Sequence, residues 1–348
     1  MKKNYFLIII LFITVFFSCD KNVNLSPSVN VYVAGYVSKF AGPGSLIVKY
    51  WKNGTPMNLT DGSKTAKFAT CIAVSGSDVY VSGYEYGFNK VALYWKNGIL
   101  VKLTDSTQNA FTTGIAVSGN DVYISGIEGG VNAGFTAKYW KNGKSVNLTD
   151  GSKSTETTSI VVNGSDVFVA GNEHNDITRL NVAKYWKNGT AVNLSDGSKD
   201  ARAECIAVSE SDIFVAGYEY SSPGGYVAKY WKNGTAVNLS DGSKYASANS
   251  IVVSGNDVFV AGRESSSTGV DVAKYWKNGT AVNLSDGSKD AHAESIAVSG
   301  SDIFVAGYEE SSSPGINVAK YWKNGIPVNL TDGSKEKGYA FSIFLSNR

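Results

Sequence analysis

Val182-Ala-Lys-Tyr-Trp-Lys-Asn-Gly-Thr-Ala-Val-Asn-Leu-Ser-Asp-Gly-Ser-Lys-Asp-Ala201 recurs letter for letter as Val272–Ala291. Its Tyr-Trp pair runs along the whole chain, with tryptophans at 51, 95, 140, 186, 231, 276 and 322, a period of 44 to 46 residues. Repetition at that period marks an array of like structural units, and every other feature has to be placed within it.

Each unit holds four short runs rich in β-branched and aromatic residues, which read as strands A to D. Around Trp322 these are Ser295–Ser299, Asp302–Gly307, Val318–Trp322 and Pro327–Leu330. Gly300-Ser301 is a two-residue hairpin signal between A and B. Lys-Asn-Gly joins C to D, and both Asn and Gly tolerate the left-handed backbone of a tight turn. Four antiparallel strands at this period are the signature of a β-propeller blade. The ends give the count: Val31–Gly35 is a B strand with no A before it, and Phe341–Ser346 is an A strand with no B after it. The two termini therefore complete one blade between them, which closes the ring and removes sheet edges. The expectation is an all-β, seven-bladed propeller. Blades stack face to face, so Trp51, Trp95, Trp140, Trp186, Trp231, Trp276 and Trp322 are expected to pack between them. A carbohydrate-stacking surface is the alternative for these rings.

Composition agrees with this fold class. Of 348 residues 43% are apolar and 18% charged, enough for a core and unlike a disordered chain. Net charge is +2 with no cluster of Lys and Arg, which argues against a nucleic-acid partner. At the N-terminus, Lys2 and Lys3 precede an apolar or weakly polar run from Tyr5 to Phe17, too short to span a bilayer. Phe16-Phe17-Ser18-Cys19 resembles the cleavage site of bacterial lipoproteins, although Phe16 and Phe17 stand where Leu and a small residue are more usual. The resemblance implies a signal peptide over 1–18 and lipid attachment at Cys19, which leaves a tether over 19–28 before the propeller that the repeats place over 29–348. It also implies anchorage in the bacterial cell envelope, at the outer membrane or cell surface. An ordinary secretory signal is the alternative. Cys71 and Cys205 occupy one repeat position, filled elsewhere by Gly114, Ser159, Ser250, Ser295 and Ser342, and are expected to be small buried fillers.

Two segments carry a wider resemblance. Ser254–Gly262 (SGNDVFVAG) and Gly119–Gly126 (GNDVYISG) resemble the core of the short bacterial β-propeller repeats known as SBBP, and "VAGY", a variable loop and "AKYWKNG" recur in related secreted repeats. The resemblance implies an exported bacterial propeller and no particular activity. WD40 and kelch signatures are absent.

A binding site is sought where repeats of one chain differ. The A–B and C–D turns vary little, whereas the B–C loops on the other face do, as in Asn172–Asn181 and Tyr218–Tyr226. Four residues before the leading Ile of strand A stand Phe68, Phe111, Glu156, Arg202, Ser247, His292 and Tyr339. Two residues before it stand Thr70, Thr113, Thr158, Glu204, Asn249, Glu294 and Phe341. These side chains are expected to ring the mouth of the central channel, with aromatics for stacking and Arg202 and the carboxylates for polar groups. Drift at exposed positions is the alternative.

No metal-ligand spacing links His174 to His292, and the Asp-Gly-Ser segments (Asp196, Asp286) fit Asx turns better than calcium loops. No cofactor motif and no catalytic elbow is present. The sequence is therefore read as a lipid-tethered binding module for a glycan, peptide or protein. Near-identical units supply few of the dissimilar groups that catalysis needs. A propeller enzyme acting on polysaccharide or a small metabolite at the channel mouth, and a structural part of an envelope assembly, remain the alternatives.

Overall fold

The computed structural model describes residues 29–39, 46–62, 65–130, 134–222, 224–334 and 336–347. The signal peptide, Cys19 and the tether lie outside the described residues. Seven four-stranded antiparallel sheets make seven blades, each ordered A-B-C-D, and the A strands of neighbouring blades lie against one another in an inner ring. Among the described residues there is no helix. Blade 1 combines the two ends of the chain: Glu336–Asn347 supplies its A strand, followed by Val29–Lys39, Leu46–Lys52 and Thr55–Asn58. The A strands of blades 2 to 7 are Lys67–Ser75, Asn109–Ser118, Thr155–Asn163, Ala201–Ser209, Ala246–Ser254 and Ala291–Ser299. Closure runs the full length of the terminal strand, from Val29 opposite Asn347 to Lys39 opposite Glu336.

Tryptophan joins the blades. All seven are at most 2% exposed. Each lies on strand C and presses onto the face of the preceding blade. Trp231 meets Phe168, Ala170 and Ala183 of blade 4, and Trp276 meets Phe214, Ala216 and Ala228 of blade 5. Trp51 packs on Phe304, Ala306 and Ala319 of blade 7, so the ring closes with the same contact that builds it. Small alanines on the receiving face leave room for the indole, and each buried ring contributes about 3 kcal/mol.

The neighbouring lysine of strand C is buried as well, at 5–8% exposure for Lys138, Lys184, Lys229, Lys274 and Lys320. A glutamate of strand B satisfies each: Glu173 lies 2.6 Å from Lys184 and Glu219 lies 3.2 Å from Lys229. The ammonium of Lys184 is also 5.9 Å above the Trp186 ring. Blade 2 has Leu93 in this place, and its Glu85 pairs with Lys67 and Lys102. Removing one partner of a buried pair leaves the other charge stranded, which is why Glu85, with no such lysine, turns to Lys67 and Lys102 instead.

Turns follow the expected chemistry. Asn188 has φ 50° and Gly189 φ 85°. The Asn188 side chain accepts from Val167 N at 2.9 Å and donates to Asp166 at 2.7 Å, stitching the C–D turn to the A–B edge. Asp196 Oδ1 accepts from Ser198 N at 2.9 Å, an Asx turn.

One sequence expectation needs correcting. Strand A of blade 7 begins at Ala291, four residues before the expected Ser295. A β-bulge lies inside each A strand: Ala293 faces Gly307 and Ser295 faces Ala306, which leaves Glu294 without a partner. The bulge breaks the alternation of period two, so the residues before it look like a crossing loop.

Two stability outcomes follow. A chain ended at Ala340 loses the inner partner of Val31 and Val33, and thermal unfolding should come at least ~10 °C lower, about 5 kcal/mol or more of lost burial. Glu210 holds φ 54° at a turn position where Gly76, Gly119, Gly164, Gly255 and Gly300 have φ 57–60°. Glu210→Gly should stabilise the protein by about 1 kcal/mol in chemical denaturation, since only glycine takes that backbone without steric cost.

Candidate ligand site at the channel mouth

The bulge places the site. Its extra residue in each A strand turns toward the axis, and all seven (Thr70, Thr113, Thr158, Glu204, Asn249, Glu294 and Phe341) line the central channel. The bulge also turns a carbonyl sideways into strand B. A Cβ on Gly217 would stand 1.9 Å from Arg202 O, and one on Gly307 would stand 1.9 Å from His292 O. The unvarying glycine of the "VAG" run is thus demanded by the neighbouring strand, whatever φ it adopts.

Just below the bulge, the repeat position shared by Cys71 and Cys205 forms a second, tighter ring around a space of about 150 Å³. Both cysteines are free and partly buried, packed against the cores between blades as small fillers, and they line the narrow end of the channel. Serines at that level lace blades together, as Ser342 Oγ accepts from Ile72 N and Ser250 Oγ from Ile296 N, each at 3.2 Å. Burial pushes the Cys205 thiol up, so it stays protonated.

Toward the loop face the channel widens into a cavity of about 490 Å³. Phe68, Glu204 and Glu294 line it. Phe111, Arg202, His292 and Tyr339 instead pack beside their strand-B partners around the rim, and Glu156 is exposed there. Sequence reasoning missed those partners. Tyr36, Tyr84, Ile127, Asn172, Tyr218, Arg263 and Tyr308 each follow the unvarying glycine and sit opposite the first variable position of strand A. The signal was present: a varied residue immediately after a fixed one.

The rim has two unlike halves. Over blades 7, 1, 2 and 3 an aromatic arc runs without a break. His292 stacks on Tyr308 at 4.7 Å, Tyr308 meets Tyr339 at 5.0 Å, and Tyr339 meets Tyr36 at 5.1 Å. Tyr36 then meets Phe68 at 5.4 Å, Phe68 stacks on Tyr84 at 5.0 Å, and Tyr84 meets Phe111 at 5.2 Å. Burial, with the Tyr339 and Tyr84 phenols beside it, pushes the Tyr36 hydroxyl up to about 12, so it remains a neutral donor. Over blades 4 to 6 charged groups enter the rim beside Tyr218, whose ring meets Tyr226 at 5.0 Å. Arg202 lies 3.4 Å from Glu156, and Arg263 Nε lies 3.2 Å from Asp271. His292, which also touches Arg263, joins the halves at 3.6 Å from Asp271 and 3.5 Å from Glu294. The Ser247 hydroxyl is buried and has no hydrogen-bond partner among the described residues.

Glu204 has the most perturbed carboxyl. Burial in the channel pushes it up to about 7; Arg202 opposes that, while Glu156 and Glu294 add to it. Glu204 and Glu294, two blades apart, therefore act within one electrostatic neighbourhood. Among the described residues no three metal-capable side chains cluster.

These features define the chain as a seven-bladed propeller with a differentiated channel mouth. No family model matches it, and no curated protein does. Among solved structures it is similar to a puromycin-hydrolyzing peptidase of Mycobacterium tuberculosis, with TM-score 0.51 and 12% identity over 75% of this chain and 46% of that one. It is also similar to a prolyl endopeptidase, with TM-score 0.53 and 11% identity over 92% of this chain and 51% of that one. The chain thus spans about half the length of both. Identities this low show the fold alone.

The raised carboxyl predicts a pH dependence. A carboxyl held above its ordinary 4.5 favours the native state fully below that value, and the benefit is lost as pH rises through about 7. Wild-type stability should fall by up to about 3 kcal/mol between pH 5 and 8 relative to Glu204→Gln. Parallel thermal scans that fall together in both proteins would rule out Glu204 as the source.

Proposed function

We propose that this chain is a recognition module of the bacterial envelope, tethered by lipid at Cys19, that seats a ligand in the loop-face mouth of its channel. The observation that supports the reading best is the contrast between blades. Sequence is nearly constant wherever side chains hold the ring together, and it diverges at the bulge and rim positions, where side chains meet the open cavity. Drift at exposed sites has no reason to gather Phe68, Tyr84, Phe111, Tyr36, Tyr308 and Tyr339 into one continuous arc and leave the charges opposite. Flat rings facing polar groups across a cavity suit a saccharide, whose ring has an apolar face and a hydroxylated edge. A peptide or protein segment is the wider class to which the same mouth is open.

A second reading has its own support. Glu204, with a carboxyl near 7 beside Glu294, has the character of a general acid, so a channel-mouth enzyme acting on polysaccharide is the alternative function. Assembly into an envelope complex is the third.

The deciding experiment is a titration of the purified protein against arrayed glycans and peptides, beside a Tyr339→Ala/Arg202→Ala variant. Saturable binding that weakens at least ~10-fold in the variant, about 1.4 kcal/mol, is the expected result. A folded protein that binds none of them, yet cleaves one, would replace recognition by the enzymatic reading.

A further inference from the structure

The bulge residue has a structural task in most blades. Thr158 Oγ1 donates to Ala203 O of the next blade at 2.9 Å, and Asn249 Nδ2 donates to Ala293 O at 3.0 Å. Thr70 and Thr113 reach the next blade through Thr112 and Thr157, at 3.2 and 2.9 Å. An ionised carboxylate has no proton to donate. Glu294 instead accepts from Asn249 Nδ2 of the preceding blade at 3.4 Å, while among the described residues the Glu204 carboxyl, pushed up to about 7 by burial, makes no hydrogen bond.

The positive groups nearby are already engaged. Arg202 pairs with Glu156 and Arg263 with Asp271, and neither lines the cavity. Both carboxyls line it, and so do Tyr36, Phe68, Tyr84 and Phe341 of blades 1 and 2. Aromatic faces attract cations, and a carboxylate pair in a partly dry site attracts them more strongly. One wall offers stacking and the other offers two carboxyls, with Arg202 and Arg263 acting on Glu204 from behind and Asn249 Nδ2 and His292 Nδ1 at 3.4 and 3.5 Å from Glu294. The cavity, about 490 Å³, is large enough for one or two sugar rings, and no Lys or Arg lines it.

We infer that the axial cavity takes the protonated amine of an amino sugar, with the ammonium between Glu204 and Glu294 and the ring face against the aromatic wall. The inference rests on the recognition reading above and narrows it to a substrate class. A neutral sugar would satisfy the aromatic wall and leave the carboxylates facing each other. An isolated metal cation would satisfy the carboxylates and leave the four rings unused.

Calorimetric titration of the purified protein at pH 6.5 with a glucosamine trimer, and with the same trimer N-acetylated, tests this directly. The expected result is at least tenfold tighter binding of the amine form. Glu204→Gln and Glu294→Gln, each shown to keep its β-sheet circular dichroism, should each weaken the amine trimer at least tenfold and leave the acetylated trimer unchanged. Ammonium binding should also release protons from Glu204 into the buffer, an effect read by changing buffer ionisation enthalpy and absent in Glu204→Gln. The groups facing Glu204 in that linkage are Arg202, Glu156, Glu294 and Arg263. Equal affinity for both trimers, or a lysine peptide binding where the amine trimer does not, overturns the amino sugar. If neutral glycans bind and Tyr339→Ala/Arg202→Ala abolishes it, the recognition reading stands while the amine fails. If no glycan or peptide binds, both fail.

Discussion

One surplus residue in each inner strand governs this molecule. The bulge leaves a residue with no partner across the sheet, and that residue turns to the axis because both faces of the blade are occupied. The same bulge swings a carbonyl toward strand B, where only glycine fits. It sets the spacing between the upper ring of variable side chains and the lower ring of Ser, Gly and Cys, and so shapes a cup that narrows with depth. Without it the A strands would present a plain period-two surface, and the charged and aromatic groups of the mouth would point along the sheet instead of across the opening.

Around this inner ring the packing is a single contact repeated. Each indole lies on the alanines of the blade before it, and a buried lysine beside it is held by a glutamate of the adjacent strand B. The ion pairs add little net stability, because desolvation offsets most of the attraction, but they penalise any slip of strand C against strand B. Hydrophobic burial holds the blades together, and the pairs fix their register.

Most of this architecture was legible in the chain itself. The Trp spacing set the number of units, and the split unit at the termini set the closure; both depend on local pattern, which sequence records directly. The start of strand A was misplaced by four residues because the bulge at Glu294 disguises a strand as a loop. Half the rim was missed for a different reason. Arg263 and Tyr308 vary from blade to blade as His292 does, but they follow the glycine at which strand B was expected to end and so read as the start of the B–C loop; their place beside strand A depends on pairing between strands. The Lys184–Glu173 pair was hidden because each residue, taken alone, looks solvent-exposed. Cys19 and the segment around it lie outside the described residues.

The shared first blade also governs how the ring can form. Strand Val29–Lys39 is made before the six other blades, and its inner partner, Glu336–Asn347, is made after them. Throughout synthesis the first blade therefore carries a bare edge, and the six other A strands, near copies of one another, are available to pair with it wrongly. Bringing these two strands together costs the entropy of closing the long stretch of chain between them, a cost that rises slowly with length but has to be met in one step. Folding should thus be limited by that last encounter, with an open horseshoe of six whole blades and a three-stranded first blade waiting on it. The terminal strand, with Phe341, Phe344 and Leu345 where the other inner strands carry smaller or polar residues, differs enough from them to make the right ending distinguishable from a slipped one.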